Sequence, residues 1–168
     1  MRPIDGLEQS LDGKVALVTG GAQRVGAHIV NALAAAGADV AVNHLNTPDA
    51  ASETAAAVEA MGRRAVSIQA DVSSVAECRS LVESAVRELG RLDILGHNAG
   101  TFVQAPFLKL SEADFEQSVG VGLRRPFFLS QSAACVMLEQ GAGRIIALIV
   151  RHLLHGGCNH MTRRLESA

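Results

Sequence analysis

Thr19 to Gly26, TGGAQRVG, places three glycines and one arginine between a β-branched apolar run and a stretch with helical periodicity. A glycine turn that enters a helix presents backbone amides at the positive end of the helix dipole, where a pyrophosphate can be held. The same turn can also be a tight connection with no ligand. Two further polar points stand at strand ends: Asp71 in ADV, and His97 to Gly100 in HNAG. Either is common in proteins without any ligand, so each gains meaning only from the others. A different chemistry is open to the segment RHLLHGGCNHMTRRLESA, where His152, His155, Cys158 and His160 are spaced closely enough to enclose one zinc ion. It has neither a CxxC nor an HxxxH pair, nor any strand or helix period, which favours an irregular tail over a metal site. The chain contains no tyrosine, so no phenol is available as a proton donor.

The elements that would position these residues alternate regularly. Val15 to Thr19 reads as a buried parallel strand, and the stretch from Val25 to Gly37 reads as a helix with Ile29, Val30, Leu33 and Ala34 on one face. ADVAVNHL is a second strand, followed by an alanine-rich helix from about Asp49 to Met61 that stops at Gly62. AVSIQADV leads into a helix lined by Val75, Leu81, Val82, Val86 and Leu89, and RLDILGHNAG is strand four. Ser111 with Asp114 suits an N-terminal cap for a long helix toward Glu139, which Pro126 interrupts or kinks. GRIIALIV is strand five, spanning Ile145 to Val150 at its core. Strands alternating with helices predict a doubly wound α/β fold with a parallel sheet.

Length and composition agree with one domain over residues 1–150 and an irregular tail over 151–168. Of the 168 residues, 48% are hydrophobic and 19% charged, which suits a globular chain and not a disordered one. A net charge of −2, with no long block of either sign, gives no reason to expect nucleic acid or an anionic membrane as partner. Cys78, Cys135 and Cys158 are far apart, which fits a reducing compartment, and the N-terminal residues lack a signal-peptide core. A cytoplasmic protein with a small-molecule ligand is the expectation.

Taken together, the motifs from about Leu11 to Ile146 resemble the short-chain dehydrogenase/reductase family, whose glycine turn reads TGxxxGxG. Thr19, Gly20 and Gly26 match, and Arg24 stands at the middle glycine, as in a subset similar to pteridine reductases. The resemblance implies a Rossmann-type sheet of order 3-2-1-4-5 with a nicotinamide dinucleotide across its carboxyl edge. Thr19, Gly20, Arg24, Val25 and Gly26 would form the phosphate turn. Asp71 and Val72 would lie at the adenine ring. Asn98, Ala99 and Gly100, matching the NNAG motif of the family, would pass beneath the ribose, with His97 replacing the first asparagine. The end of strand two reads Asn43, His44, with no carboxylate to repel a 2′-phosphate, and Arg24 can pair with that phosphate through its planar fork. NADP(H) is therefore expected over NAD(H).

The resemblance also implies hydride transfer between the nicotinamide and a carbonyl or alcohol, with a Ser, Tyr and Lys set and an Asn on the following helix. Gly122 stands at the place of that Asn, and Ala147 and Val150 stand where an Asn and the catalytic Ser would be. The Tyr and Lys would fall near Arg163 and Ser167. The tyrosine's proton has no substitute in this set, so the expectation is an oxidoreductase by resemblance that is impaired in catalysis. Truncation, or a change of reading frame after Ile146, is one reading of this departure. The alternative is a non-catalytic NADP(H)-binding protein, or a subunit that pairs through the open edge of strand five, as a homo-oligomer or with another chain.

Overall fold

The computed structural model describes residues 10–100 and 107–148. Among the described residues five strands are interleaved with five α-helices. They are β1 (Val15–Val18), α1 (Arg24–Ala35), β2 (Asp39–His44), α2 (Pro48–Glu59), β3 (Ala65–Gln69), α3 (Val75–Leu89), β4 (Ile94–His97), α4 (Glu112–Val119), α5 (Arg125–Glu139) and β5 (Arg144–Ala147). The strands pair in parallel in the order β3-β2-β1-β4-β5, as the family resemblance implies.

Alternation along each strand divides the core in two. Val15, Leu17, Ala41 and Leu95 face α3 and α5, where Leu81, Val82, Ala85, Leu89, Leu129, Ala133 and Met137 close over them. Ala16, Val18, Val40, Val42 and Ile94 face α1 and α2 and meet Val30, Ala34, Ala51 and Val58. β1 is buried along its whole length, so each of its Val and Leu side chains contributes roughly 1.5–3 kcal/mol of transfer free energy. This makes β1 the rigid axis to which both adjacent turns are tied.

Helix ends follow their local chemistry. α3 begins at Ser74, whose hydroxyl accepts from the amide of Glu77, and it ends at Gly90 in the left-handed region. α4 opens with a reciprocal capping box between Ser111 and Asp114. The expected interruption before Pro126 is a five-residue π-helical turn, Gly120–Arg124, after which the helix resumes as α5. Proline offers no amide to the carbonyl four residues earlier, that of Gly122, and its ring would collide with it. Widening the turn resolves both.

At the amino edge of the sheet, opposite the glycine turn, Asp93 binds Arg91 through both oxygens and also accepts from Lys14 Nζ and the amide of Val15. Burial opposes its ionisation, but these donors outweigh burial and hold its carboxyl below the usual range. Among the described residues strand five is Arg144–Ala147, beginning one residue before the expected Ile145 and leaving Leu148 outside it. Its residues are solvent-facing throughout, and residues 149 and 150 lie outside the described residues.

Candidate functional site

At the carboxyl ends of β1, β2 and β4, side chains and backbone close into one hydrogen-bonded cradle. Thr19, buried at the end of β1, accepts through Oγ1 from the amides of Asn98 (3.1 Å) and Ala99 (3.0 Å). The Asn98 side chain answers by donating to the carbonyls of Thr19 (3.2 Å) and Gly20 (3.0 Å). On the other flank Asn43, 2% exposed, offers Oδ1 to the amide of Gly20, while its Nδ2 faces the carbonyls of His44, Ile68 and Ala70. One buried amide thus joins the glycine turn to the ends of β2 and β3, the latter directly before Asp71.

The first turn of α1 lies against this cradle with no room for a side chain. A Cβ on Gly26 would stand 2.0 Å from the carbonyl oxygen of Gly20 and 2.7 Å from Asn98 Nδ2. Gly20 itself has φ +60°, and a Cβ there would meet Ala99 Cα at 3.1 Å. Arg24 opens α1 with φ 53°, a left-handed conformation rare for a residue with a side chain. The backbone at this position therefore keeps the geometry a glycine would take, although the residue is arginine. The α1 N-terminus has no side-chain cap from Gln23 and no acidic residue in its first turn. It is a helix end with unanswered amides and a positive dipole.

Each residue expected at the site has a definite place. Thr19, Gly20, Gly26, Asn43, Asn98 and Ala99 form the cradle. Arg24 and Val25 are exposed on the first turn of α1, and Gly100 is exposed with nothing within 4 Å of where a Cβ would stand. His44 is buried at the end of β2 on the face toward α1 and α2, and its Nδ1 has no partner among the described residues. Asp71 turns the chain into α3: its carboxylate accepts from the amide of Ser73 at 2.8 Å, and the Ser73 hydroxyl first, with that amide second, holds its carboxyl below the usual range. Val72 packs into the core beside Cys78, whose thiol donates to the Val72 carbonyl.

Of the positions where the resemblance expects catalytic groups, Gly122 is exposed in the π turn and Ala147 is exposed at the end of β5. Val150, Arg163 and Ser167 lie outside the described residues, as do His152, His155, Cys158 and His160.

Two contributors had no signal in the sequence. Thr54 on α2 donates to the carbonyl of Ala22 and holds the far side of the glycine turn. Ser130 on α5 lies 2.8 Å from Nε2 of His97. A lone hydroxyl within a helix reads as a neutral surface residue until the opposing strand is known.

Comparison with known proteins agrees with this geometry. The family model described as short chain dehydrogenase matches residues 14–155, which carries the likeness nine residues beyond Ile146. Hydroxynaphthalene reductase arp2 of Aspergillus fumigatus is 39% identical over 138 residues, covering 82% of this chain and 50% of that protein. A short-chain dehydrogenase of Burkholderia cenocepacia solved with NADP is 34% identical with a TM-score of 0.79, over 91% of this chain and 63% of its own. A 7α-hydroxysteroid dehydrogenase solved with NADH and 7-oxo glycochenodeoxycholic acid is 30% identical with a TM-score of 0.82, over 100% and 65%. The chain spans about half the length of the curated relatives it matches. It belongs to the short-chain dehydrogenase family.

Proposed function

We propose that the edge running from β3 to β4 binds a nicotinamide dinucleotide, with NADP(H) preferred over NAD(H). The observation that carries this is the α1 N-terminus: uncapped, free of acid, and held against Gly20 so closely that only glycine fits at position 26. Such an end suits a pyrophosphate. In this reading the turn Gly20 to Gly26 holds the pyrophosphate, Asp71 and Val72 border the adenine, and Asn98, Ala99 and Gly100 support the ribose. Arg24, exposed and permanently charged, would pair with a 2′-phosphate, and neither Asn43 nor His44 presents a carboxylate against it. The solved relatives named above carry NADP in one case and NADH in the other, so titration must include both cofactors. Fluorescence titration should show tighter binding of NADPH. Equal or tighter NADH binding refutes the preference, and binding of neither refutes the site.

When bound, the nicotinamide supplies or accepts a hydride at a carbonyl or alcohol carbon. A proton must follow, and Gly122 and Ala147 carry none to give, in a chain without tyrosine. In this reading hydride transfer coupled to proton delivery is reduced or lost in this chain. Positioned general acids contribute about 10²–10⁴-fold, so NADPH oxidation across ketones, aldehydes and quinones should stay at background. Turnover that disappears on Gly20 substitution would overturn this.

A second reading, pairing with another subunit, rests on β5, where Ile145 and Ile146 are 42% and 56% exposed on a strand paired only to β4 among the described residues. Light scattering that gives a monomer at high concentration would remove it. A cytoplasmic location accords with the free Cys78 and Cys135. Among the described residues no helix is long and apolar enough to cross a membrane.

A further inference from the structure

His97 ends β4 on the face toward α5, 7% exposed, with Nε2 2.8 Å from Ser130 Oγ. Its backbone neighbours are all cradle or sheet contacts. The Gly96 carbonyl receives the amide of Thr19, the His97 carbonyl receives the amide of Leu148, and Asn98 begins the bonds to Thr19 and Gly20. The imidazole is thus the side-chain link from the Asn98 turn to the helix layer behind it. The cleft beside it, lined by Thr19, Val72, His97, Ala99, Arg125, Pro126 and Leu129, has a volume of about 10 Å³. That admits about one water, and among the described residues the ring is closed in by these neighbours. The place of His97 in the fold, buried and bonded to Ser130, gives it a structural role.

We infer that His97 and Ser130 form a proton-responsive tie between the Asn98 turn and α5, which holds the dinucleotide cradle closed near neutral pH and loosens it in acid. The binding half of this inference rests on the dinucleotide reading above. A neutral imidazole shares a proton with the Ser130 hydroxyl without adding charge. An imidazolium would bring a second positive charge into the cleft that Arg125 already lines, with little water to solvate it. The other ionisable groups nearby belong to the β3–α3 corner. Asp71 and Cys78 both feel the charge of Arg125, but Asp71 directs its carboxylate to Ser73, and Cys78 remains a thiol because burial pushes it up. From β1 and β5 the facing residues, Thr19, Ala147 and Leu148, carry no charge. Burial pushes the His97 pKa down, in agreement with the geometry. With a folded-state value below the unfolded one, the tie is fully present above about pH 6.5 and is lost as pH falls through the folded value.

The test uses the full chain and two variants, His97→Asn, which keeps a polar partner for Ser130 but does not titrate, and Ser130→Ala. Hydrogen-exchange protection factors of the Asn98 and Ala99 amides are measured between about pH 5.5 and 8, with NADP⁺ affinity over the same range. In the wild type, protection should fall by about threefold or more toward acid, and NADP⁺ affinity with it, whereas His97→Asn should give a flat protection profile. Ser130→Ala should lower protection at neutral pH. Identical protection profiles in wild type and His97→Asn overturn the tie. Absence of NADP⁺ binding at every pH in both proteins overturns the cofactor reading and the ligand half of this inference, while the protection factors still decide the tie.

Discussion

Replacing Gly26 with alanine is the most direct test of the cradle. The new Cβ would stand 2.0 Å from the Gly20 carbonyl oxygen, and since Cβ atoms are essentially never found below 3.0 Å, helix and turn must part by about 1 Å or more. The obstructing atom is backbone, so no rotamer change relieves it. That displacement pulls Gly20 from Asn98 Nδ2, whose bonds to the Thr19 and Gly20 carbonyls are 3.2 and 3.0 Å long. Overpacking costs about 1–3 kcal/mol. Two weakened hydrogen bonds add about 1 kcal/mol each. Alanine returns at most about 1 kcal/mol of helix propensity. The net loss is about 2–4 kcal/mol, or a Tm lower by about 5–15 °C in a domain of this size.

The same movement misaims the α1 amides, so NADPH affinity should drop by at least about tenfold. Thermal unfolding followed by circular dichroism and a fluorescence titration measure the two effects. Gly122→Ala serves as the control, because a Cβ there meets nothing within 4 Å, and it should be neutral or stabilising by up to about 1 kcal/mol. If Gly26→Ala keeps both the wild-type Tm and the wild-type affinity, the close approach of α1 to the turn does not exist in solution and the reasoning fails.

Arg24→Gly should separate backbone from side chain: relief of the left-handed φ stabilises by up to about 1 kcal/mol, while loss of the guanidinium reduces NADPH-over-NADH selectivity by about 3–10-fold. Unfolding and paired titrations check the opposite signs, and a Gly variant less stable than wild type would count against the strain. Asp93→Asn should cost about 1–3 kcal/mol at neutral pH, discounted because Arg91 and Lys14 are partly exposed. Since the Asp93 carboxyl is held below the usual range, its contribution is present above the unfolded value of about 3.9 and disappears as pH falls through the folded one, so urea denaturation should show the two proteins converging in acid.

The sheet was legible because its signals are periodic and mutually consistent. The valine-rich runs of β1 and β2, the glycine stops after α1 and α2, and the Ser111–Asp114 cap each specify local structure without help from distant residues. Strand order followed from the resemblance, and the cradle residues from their motifs. The tertiary pairings were not legible. Nothing in the sequence near Asn43 says that its amide reaches Ala70 and Gly20 at once, nor that Ser130 meets His97 across more than thirty positions of chain. The π turn was visible only as a disturbance at Pro126, because the cost of a proline in a helix is local while the way the chain absorbs it depends on the glycines before it.

Binding and proton transfer place different demands on this fold, and the demands fall on different residues. At Gly20 and Gly26 the backbone itself forbids a side chain, and Thr19, Asn43 and Asn98 each hold two or more bonds of the same network. Changing any of these disturbs β1, the best-buried strand, so the fold and the cradle stand or fall together. Gly122 and Ala147 are exposed, and a Cβ at Gly122 meets nothing within 4 Å. The fold asks nothing of the side chain at Gly122, and little at Ala147 beyond its ladder bonds. A chain of this family can therefore carry glycine and alanine at these places and still build the full hydrogen-bonded cradle, because packing maintains the cradle and asks nothing of the other positions.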